Sequence, residues 1–348
     1  MAAPADRYLA IDEEGYFVFD QQRVQDPEVG RPLLENLTMH EDGNRCFTSL
    51  KGEQAWIEAF DEPLIVRHVS AGGGEHGVMD LPYGLQMRLP YAGLCVDEWD
   101  RFHGLSQRNI PFVFSRQAQV EFFELLDEFD DDSVTIKGRK FPTPRWLNPA
   151  PEVNGEKFWT DLYQNKQDGW ELGRESVVLP TVLPQLKLSR QRVLVLGCGR
   201  GHDAAYLAQQ GHVVTAVDFS PEAIAAAKQK YSGLENLKML QADAFALPPE
   251  FAERFDLVFE HTMYCAIAPE RRKDLIKIWR RCLAPHGQVL GVFFAMEKRT
   301  GPPFGGSEWE LRERLKDHFE LLFWTRWRHS LEARKAKELV VFGRKSAR

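Results

Sequence analysis

Between residues 192 and 220 the chain reads RVLVLGCGRGHDAAYLAQQGHVVTAVDFS, and this stretch constrains the fold more than any other. An apolar strand-like run ends in glycines at alternate positions, Gly197, Gly199 and Gly201, and a helix-like run closed by Gly211 follows directly. Glycines at such a turn let backbone amides approach a ligand, and the helix N-terminus favours a negative group. The alternation continues. VVTAVD reads as a second strand and PEAIAAAKQKY as a helix, with Ser220 as N-cap and Pro221 at its first position. FDLVFEH, PERRKDLIKIWRRCL and GQVLGVFF extend it as strand, helix, strand. Repeated strand–helix–strand units predict a mostly parallel sheet covered on both faces, with ligands at the carboxyl ends of its strands. FELLFWTRWR and KELVVFGRK are expected to close that sheet as an antiparallel pair.

The glycine spacing separates two ligand classes. A dinucleotide fingerprint needs a glycine at 202, where this chain has His202. The G-x-G-x-G present suits S-adenosylmethionine, which offers a carboxylate and no pyrophosphate. Asp218, at the expected tip of the second strand with Phe219 beside it, can accept from both ribose hydroxyls. Asp243 and Ala244, in LQADAF, fall where an adenine edge is met. Each alone is also ordinary turn chemistry, and their order along the chain carries the reading.

The 348 residues suggest two domains. Residues 1–140 read as a smaller β-rich α+β accessory domain: GYFVFD, RCFTSL, PLIVRHVS and GLQMRLPY are extended runs between turn clusters. SRQAQVEFFELLDEF reads as a helix capped by Ser115, with Val120, Phe123 and Leu126 on its apolar side, and Asp130 to Asp132 as its solvated end. A Pro-rich linker is expected over 141–154 and the second domain over 155–348. Residues 1–150 carry 14 Lys and Arg against 26 Asp and Glu, and the remainder 30 against 25. The acidic half argues against nucleic acid as a partner, and the basic run RWRHSLEARKAKELVVFGRK reads as a solvated face. Five scattered cysteines form neither a disulfide framework nor a zinc motif, and His68, His76 and His103 are not spaced as metal ligands. With no signal peptide or membrane-spanning run, a cytoplasmic protein with no metal is expected. Oligomeric state and the accessory domain's role are not legible; that domain could cover the pocket, select the acceptor or build a dimer.

FWTDLYQNKQDGWELGR, GCGRGHD, FEHTMYCAIAPERR and RTGPPFGGS occur in unbroken order from Phe158 to about Ser307. This second half resembles the thiopurine methyltransferase family of class I S-adenosylmethionine-dependent methyltransferases, and within it the plant-type thiol and halide branch. The resemblance implies a Rossmann-like domain with a mostly parallel seven-stranded sheet. It implies an aromatic trio on the cofactor at Trp159, Tyr163 and Trp170, with Tyr163 replacing the commoner Trp. It also implies cofactor contacts from Gly197, Asp218, Asp243 and Ala244, and from the Glu260–His261 tip of the fourth strand; His261 departs from the family's residue type. Gly199, Gly201 and Phe219 complete the expected cofactor set, and Trp170, Arg174, Tyr264 and Phe304 the acceptor side.

Residue chemistry agrees with this. Trp159 and Tyr163 are four apart, so a helix places them on one face, and aromatic faces attract a cationic sulfonium. His261 reads either as a histidine satisfied inside the protein or as a group that orients or deprotonates the acceptor, a role open to Tyr264 as well. The expected reaction is methyl transfer to a small thiol, hydrosulfide or halide. The alternatives are a hydroxyl, amine or metalloid acceptor, or a non-catalytic cofactor sensor.

Overall fold

The computed structural model describes residues 7–146, 151–296, 298 and 300–347. It resolves into two compact units. One holds residues 1–148 with 296–299 and 307–310; the other holds 149–295, 300–306 and 311–348.

The first unit is built from short strands in one six-stranded, one four-stranded and two three-stranded sheets. Two helices, Pro27–Glu35 and Arg116–Phe123, accompany them. Phe17, Phe102, Phe112 and Phe122 centre its core. Ser115 caps the second helix as expected, accepting from the Ala118 N–H. The buried face differs from the expected one: it runs through Ala118 and Phe122, while Val120 is 52% and Phe123 40% exposed. Nor do Asp130 to Asp132 end this helix. Asp130 closes the strand Glu128–Asp130 and its side chain accepts from the Asp132 N–H and the Ser133 hydroxyl, which shapes a hairpin turn. His103 is buried between Asp97 (2.9 Å) and Glu62 (3.3 Å), and the described residues contain no group of three or more His, Cys, Asp and Glu fit to hold a metal. The start of the expected linker is structured: Phe141 and Pro142 lie in the strand Arg139–Pro142, and the Trp146 N–H donates to Val96. Residues 147–150 of that linker lie outside the described residues.

The second unit begins with helices α1 (Glu156–Gln164) and α2 (Leu179–Leu186). Then β1 (Arg192–Leu196), α3 (His202–Gln209), β2 (Val213–Asp218), α4 (Pro221–Lys230) and β3 (Leu237–Gln241) alternate. β4 (Phe255–His261), the short α5 (Met263–Ala266), α6 (Arg272–Cys282) and β5 (Leu283–Phe294) follow. α7 (Glu308–Leu315), β6 (Phe319–Arg326) and β7 (Glu338–Lys345) end the chain. The seven strands lie in the order β3-β2-β1-β4-β5-β7-β6, and β7 is antiparallel to both of its neighbours. The rest is parallel, as the alternation predicts. Two apolar layers cover the sheet: one includes Leu275, Trp279 and Phe293, the other Leu179, Leu207 and Ile224. Strand order reverses between β1 and β4, and it is at the carboxyl ends of strands at such a point that open α/β sheets place their ligand crevice.

The basic C-terminal run is only partly a solvated face. Arg326 donates to the carbonyls of Ala295 (3.0 Å) and Ala336 (3.1 Å), and the Arg334 side chain is 11% exposed. Charge runs along the sequence do not reveal which arginines turn inward, because that depends on the hairpin that β6 and β7 form. No helix among the described residues is long and apolar enough to cross a membrane.

Candidate functional site

The glycine loop leaves β1 in a conformation that side chains resist: φ is +61° at Gly197, +51° at Gly199 and +77° at Gly201. Space imposes a second constraint. A Cβ on Gly197 would lie 2.9 Å from Met263, and one on Gly199 2.9 Å from the Tyr163 hydroxyl. Bare backbone is therefore presented between α1 and α5. Asp218, at the tip of β2, accepts from the Gly199 N–H (2.8 Å) through Oδ2 and from the Ser220 N–H (2.9 Å) through Oδ1. Burial raises its pKa against those stabilising N–H groups. Phe219 follows it, half-buried. Ser220 caps α4 by accepting from the Ala223 N–H, and the Thr160 hydroxyl bonds it from α1. At the tip of β3, Asp243 accepts from the Phe245 N–H and Ala244 is buried.

The aromatic trio is assembled. Trp170 meets Trp159 and Tyr163 edge-on, with centroids 5.4 and 5.6 Å away. Tyr163 is buried, with its hydroxyl bonded by Trp170, and burial together with the Asp218 charge pushes its pKa up. The segment after α1 is laced to the glycine loop. Asp168 pairs with Arg200 (2.7 Å), Glu171 with His202 (2.9 Å), and Arg334 donates to the Trp170 carbonyl (3.0 Å). Arg174, placed on the acceptor side from the sequence, is exposed and lies 3.6 Å from Glu175.

Phe304 packs with Trp159, Phe158, Val153 and Ala268, and its N–H donates to the Cys265 carbonyl (2.6 Å). The buried Arg272 donates to the carbonyls of Tyr264 (3.2 Å) and Phe304 (3.3 Å), tying α5 to the loop at 300–306. Tyr264 is 4% exposed, edge-on to Phe293 at 5.3 Å, with the Arg272 guanidinium 4.6 Å from its ring centroid.

The β4 tip holds two titrating groups. His261 Nδ1 is 2.8 Å from Asp203 and its Nε2 3.1 Å from Arg334 Nη1. Burial opposes a charge on the ring, Asp203 outweighs it and raises the pKa, and Arg334 opposes that rise. Because arginine only donates, the Arg334 contact is a hydrogen bond only when Nε2 is bare. Glu260 is 1% exposed; its Oε1 accepts from the Tyr264 N–H (2.8 Å), and Oε2 has no hydrogen-bond partner among the described residues. Burial raises its pKa to about 7. Thr262, next in the chain, has φ of +70°, a conformation that costs a non-glycine residue about 1–3 kcal/mol and that clusters at functional sites.

Sequence reading missed Asp203, Arg200, Arg272 and Arg334. The first two fall in the glycine-loop segment, where a partner search could begin; the arginines looked like surface charge.

Residues 154–344 match the family described as thiopurine S-methyltransferase. The chain belongs to that family. Its methyl donor is S-adenosylmethionine, and the bare glycine loop, the two-handed Asp218 and the aromatic trio fit such a group. The thiopurine S-methyltransferase family match leaves residues 1–153 outside it. The chain is 31% identical to a probable thiol methyltransferase 2 of Arabidopsis thaliana over 153 residues, 43% of this chain and 67% of that protein. It is 28% identical to thiocyanate methyltransferase 1 of the same plant, over 51% of this chain and 80% of that one. Among solved structures, the 1,6-didemethyltoxoflavin-N1-methyltransferase of Burkholderia thailandensis is 21% identical and covers 64% of this chain and 99% of its own, with a TM-score of 0.47.

Proposed function

We propose that this methyltransferase moves the methyl group to a small soft nucleophile, a thiol, hydrosulfide or halide, by in-line displacement. The observation that carries this reading is the pair of features expected on the acceptor side: an aromatic cluster of Phe304, Trp159 and Phe158, and a His261 whose two ring nitrogens already have protein partners. Such a site aligns and dries a nucleophile more readily than it deprotonates a weakly acidic one. Thiols ionise near pH 8.5 and halides carry their charge already, so neither acceptor depends on a strong base. The relatives named for thiol and thiocyanate acceptors support the same class.

The donor supplies an electrophilic methyl on a sulfonium. The chain's residues supply position: Asp218 holds the glycine loop to the β2 tip for the ribose, and Asp243 and Ala244 meet the adenine. The trio of Trp159, Tyr163 and Trp170 covers the cation, each desolvated aromatic face contributing about 0.5–2 kcal/mol. His261, locked between Asp203 and Arg334, gives the acceptor side a fixed wall, and Tyr264 is held in place by Phe293 and the Arg272 guanidinium. The test is S-adenosylhomocysteine formation with thiols, hydrosulfide, iodide, and hydroxyl and amine acceptors. Turnover with sulfur or halide acceptors is expected. Turnover confined to hydroxyl or amine acceptors would move the chain to another acceptor class, and tight donor binding with no turnover would make it a sensor.

A further inference from the structure

Glu260 is a buried carboxyl with half of its acceptor capacity unused, beside the crevice where the methyl donor's site is proposed. Its strand, β4, is paired with β1, and Met263, three residues on, approaches the glycine loop at Gly197. Glu260 and the loop thus stand on the two sides of the point where strand order reverses. Oε1 serves α5 through the Tyr264 N–H. Oε2 meets no donor among the described residues, and a buried carboxylate left this way is costly unless it stays protonated or meets a cation.

The groups around it compensate a charge there only in part. Burial outweighs the three that favour the ionised carboxylate, the Tyr264 N–H, the neighbouring His261 and the Met263 N–H, and Asp203 on α3 opposes it as well. His261 is itself held by Asp203 and Arg334. Cys265 on α5 is buried with its thiol pushed up to about 12, by burial first and the Glu260 charge second. Cys198 in the loop is likewise raised by burial. Arg272 is committed to the carbonyls of Tyr264 and Phe304, and Arg334 to Trp170 and His261.

We propose that Glu260 is the counter-charge for the cationic methyl donor, and that the proton it carries in the free protein at low pH leaves to solvent as the donor enters. This rests on the reading of the crevice as the S-adenosylmethionine site. S-adenosylmethionine carries a sulfonium and an α-ammonium; S-adenosylhomocysteine retains only the ammonium. The carboxylate therefore favours the charged donor over the product if the sulfonium is its partner.

The experiment is titration calorimetry of the full chain with S-adenosylmethionine in two buffers of different ionisation enthalpy, at pH 6, 7 and 8. About half a proton should be released per donor bound at pH 7, and affinity should rise about tenfold between pH 6 and pH 8. Glu260→Gln should abolish both effects. The same titrations with S-adenosylhomocysteine identify the partner: release with both ligands assigns the ammonium, and release with the donor alone the sulfonium. Donor binding by wild-type protein without proton release overturns the proposal and leaves the site reading intact. Absence of donor binding overturns both. The wild-type proton count decides the question even if Glu260→Gln fails to fold.

Discussion

Asp218 joins two turns with one carboxylate, the glycine loop through Gly199 and the start of α4 through Ser220. Asp218→Ala leaves both N–H groups without that acceptor. A lost hydrogen bond to a charged group costs about 1.5–3 kcal/mol, so equilibrium dialysis should find donor affinity lowered by at least about tenfold. Glu260 gives the opposite sign for stability. Its folded pKa of about 7 lies above the ordinary carboxyl value of 4.5, so the unfolded chain releases its proton first as pH rises. The resulting penalty is absent below about pH 4, grows up to about pH 7 and is full above it. Without donor, Glu260→Gln should be more stable than wild type at pH 7.5, by up to about 3 kcal/mol, with the gain vanishing near pH 4. Urea unfolding at the two pH values measures this; equal stability of the two proteins at pH 7.5 would remove Glu260 as a buried acid.

At the scale of elements, the aromatic trio depends on more than its own stacking. α1 places Trp159 and Tyr163 on one face because they are four residues apart, and this was readable from spacing. Trp170 lies beyond the helix and is held from outside it, by Arg334 on its carbonyl and by the Asp168–Arg200 and Glu171–His202 pairs around it. Trp170→Ala should weaken donor binding about tenfold through the lost aromatic face. Arg334→Ala should weaken it too while leaving the trio's residues in place. Arg334→Lys should not restore it, because one ammonium does not reproduce a fork that reaches His261 and the Trp170 carbonyl together. Full recovery in Arg334→Lys, measured as donor dissociation constant, would reduce Arg334 to a point charge.

For the whole molecule, the family match over residues 154–344 covers most of the second unit and also residues 307–310, which fall in the first unit although they lie far along the chain. Trp309 lies under the Arg101 guanidinium (3.4 Å) and edge-on to Trp99 (5.0 Å), and the Ser307 hydroxyl bonds Asp61. A fragment of residues 149–348 therefore loses the surroundings of Trp309. Calorimetry should show it melting several degrees below the full chain, since about 1 kcal/mol shifts Tm by about 2–4 °C in chains of 150–250 residues. A fragment as stable as the full chain would mean that the contacts of Ser307 and of the first turn of α7 add nothing to stability.

Local periodicity and order along the chain determined the alternating strands and helices, the antiparallel closing pair, the left-handed glycine loop, the Ser220 cap and the Asp218 tip. These are short-range matters, set by backbone sterics, capping and the 2.0 and 3.6 repeats. The sequence also carried the family, through segments that lie in one unbroken order. Tertiary structure alone decided that the helix after Ser115 buries Phe122 and not Phe123, and that Asp130 shapes a hairpin. It alone turned Arg272, Arg326 and Arg334 inward, closed Asp203 and Arg334 on His261, and left one oxygen of Glu260 bare. Which polar group finds a partner depends on elements tens of residues apart meeting in space. Burial then sets its charge, and neither quantity has a local signature in the chain.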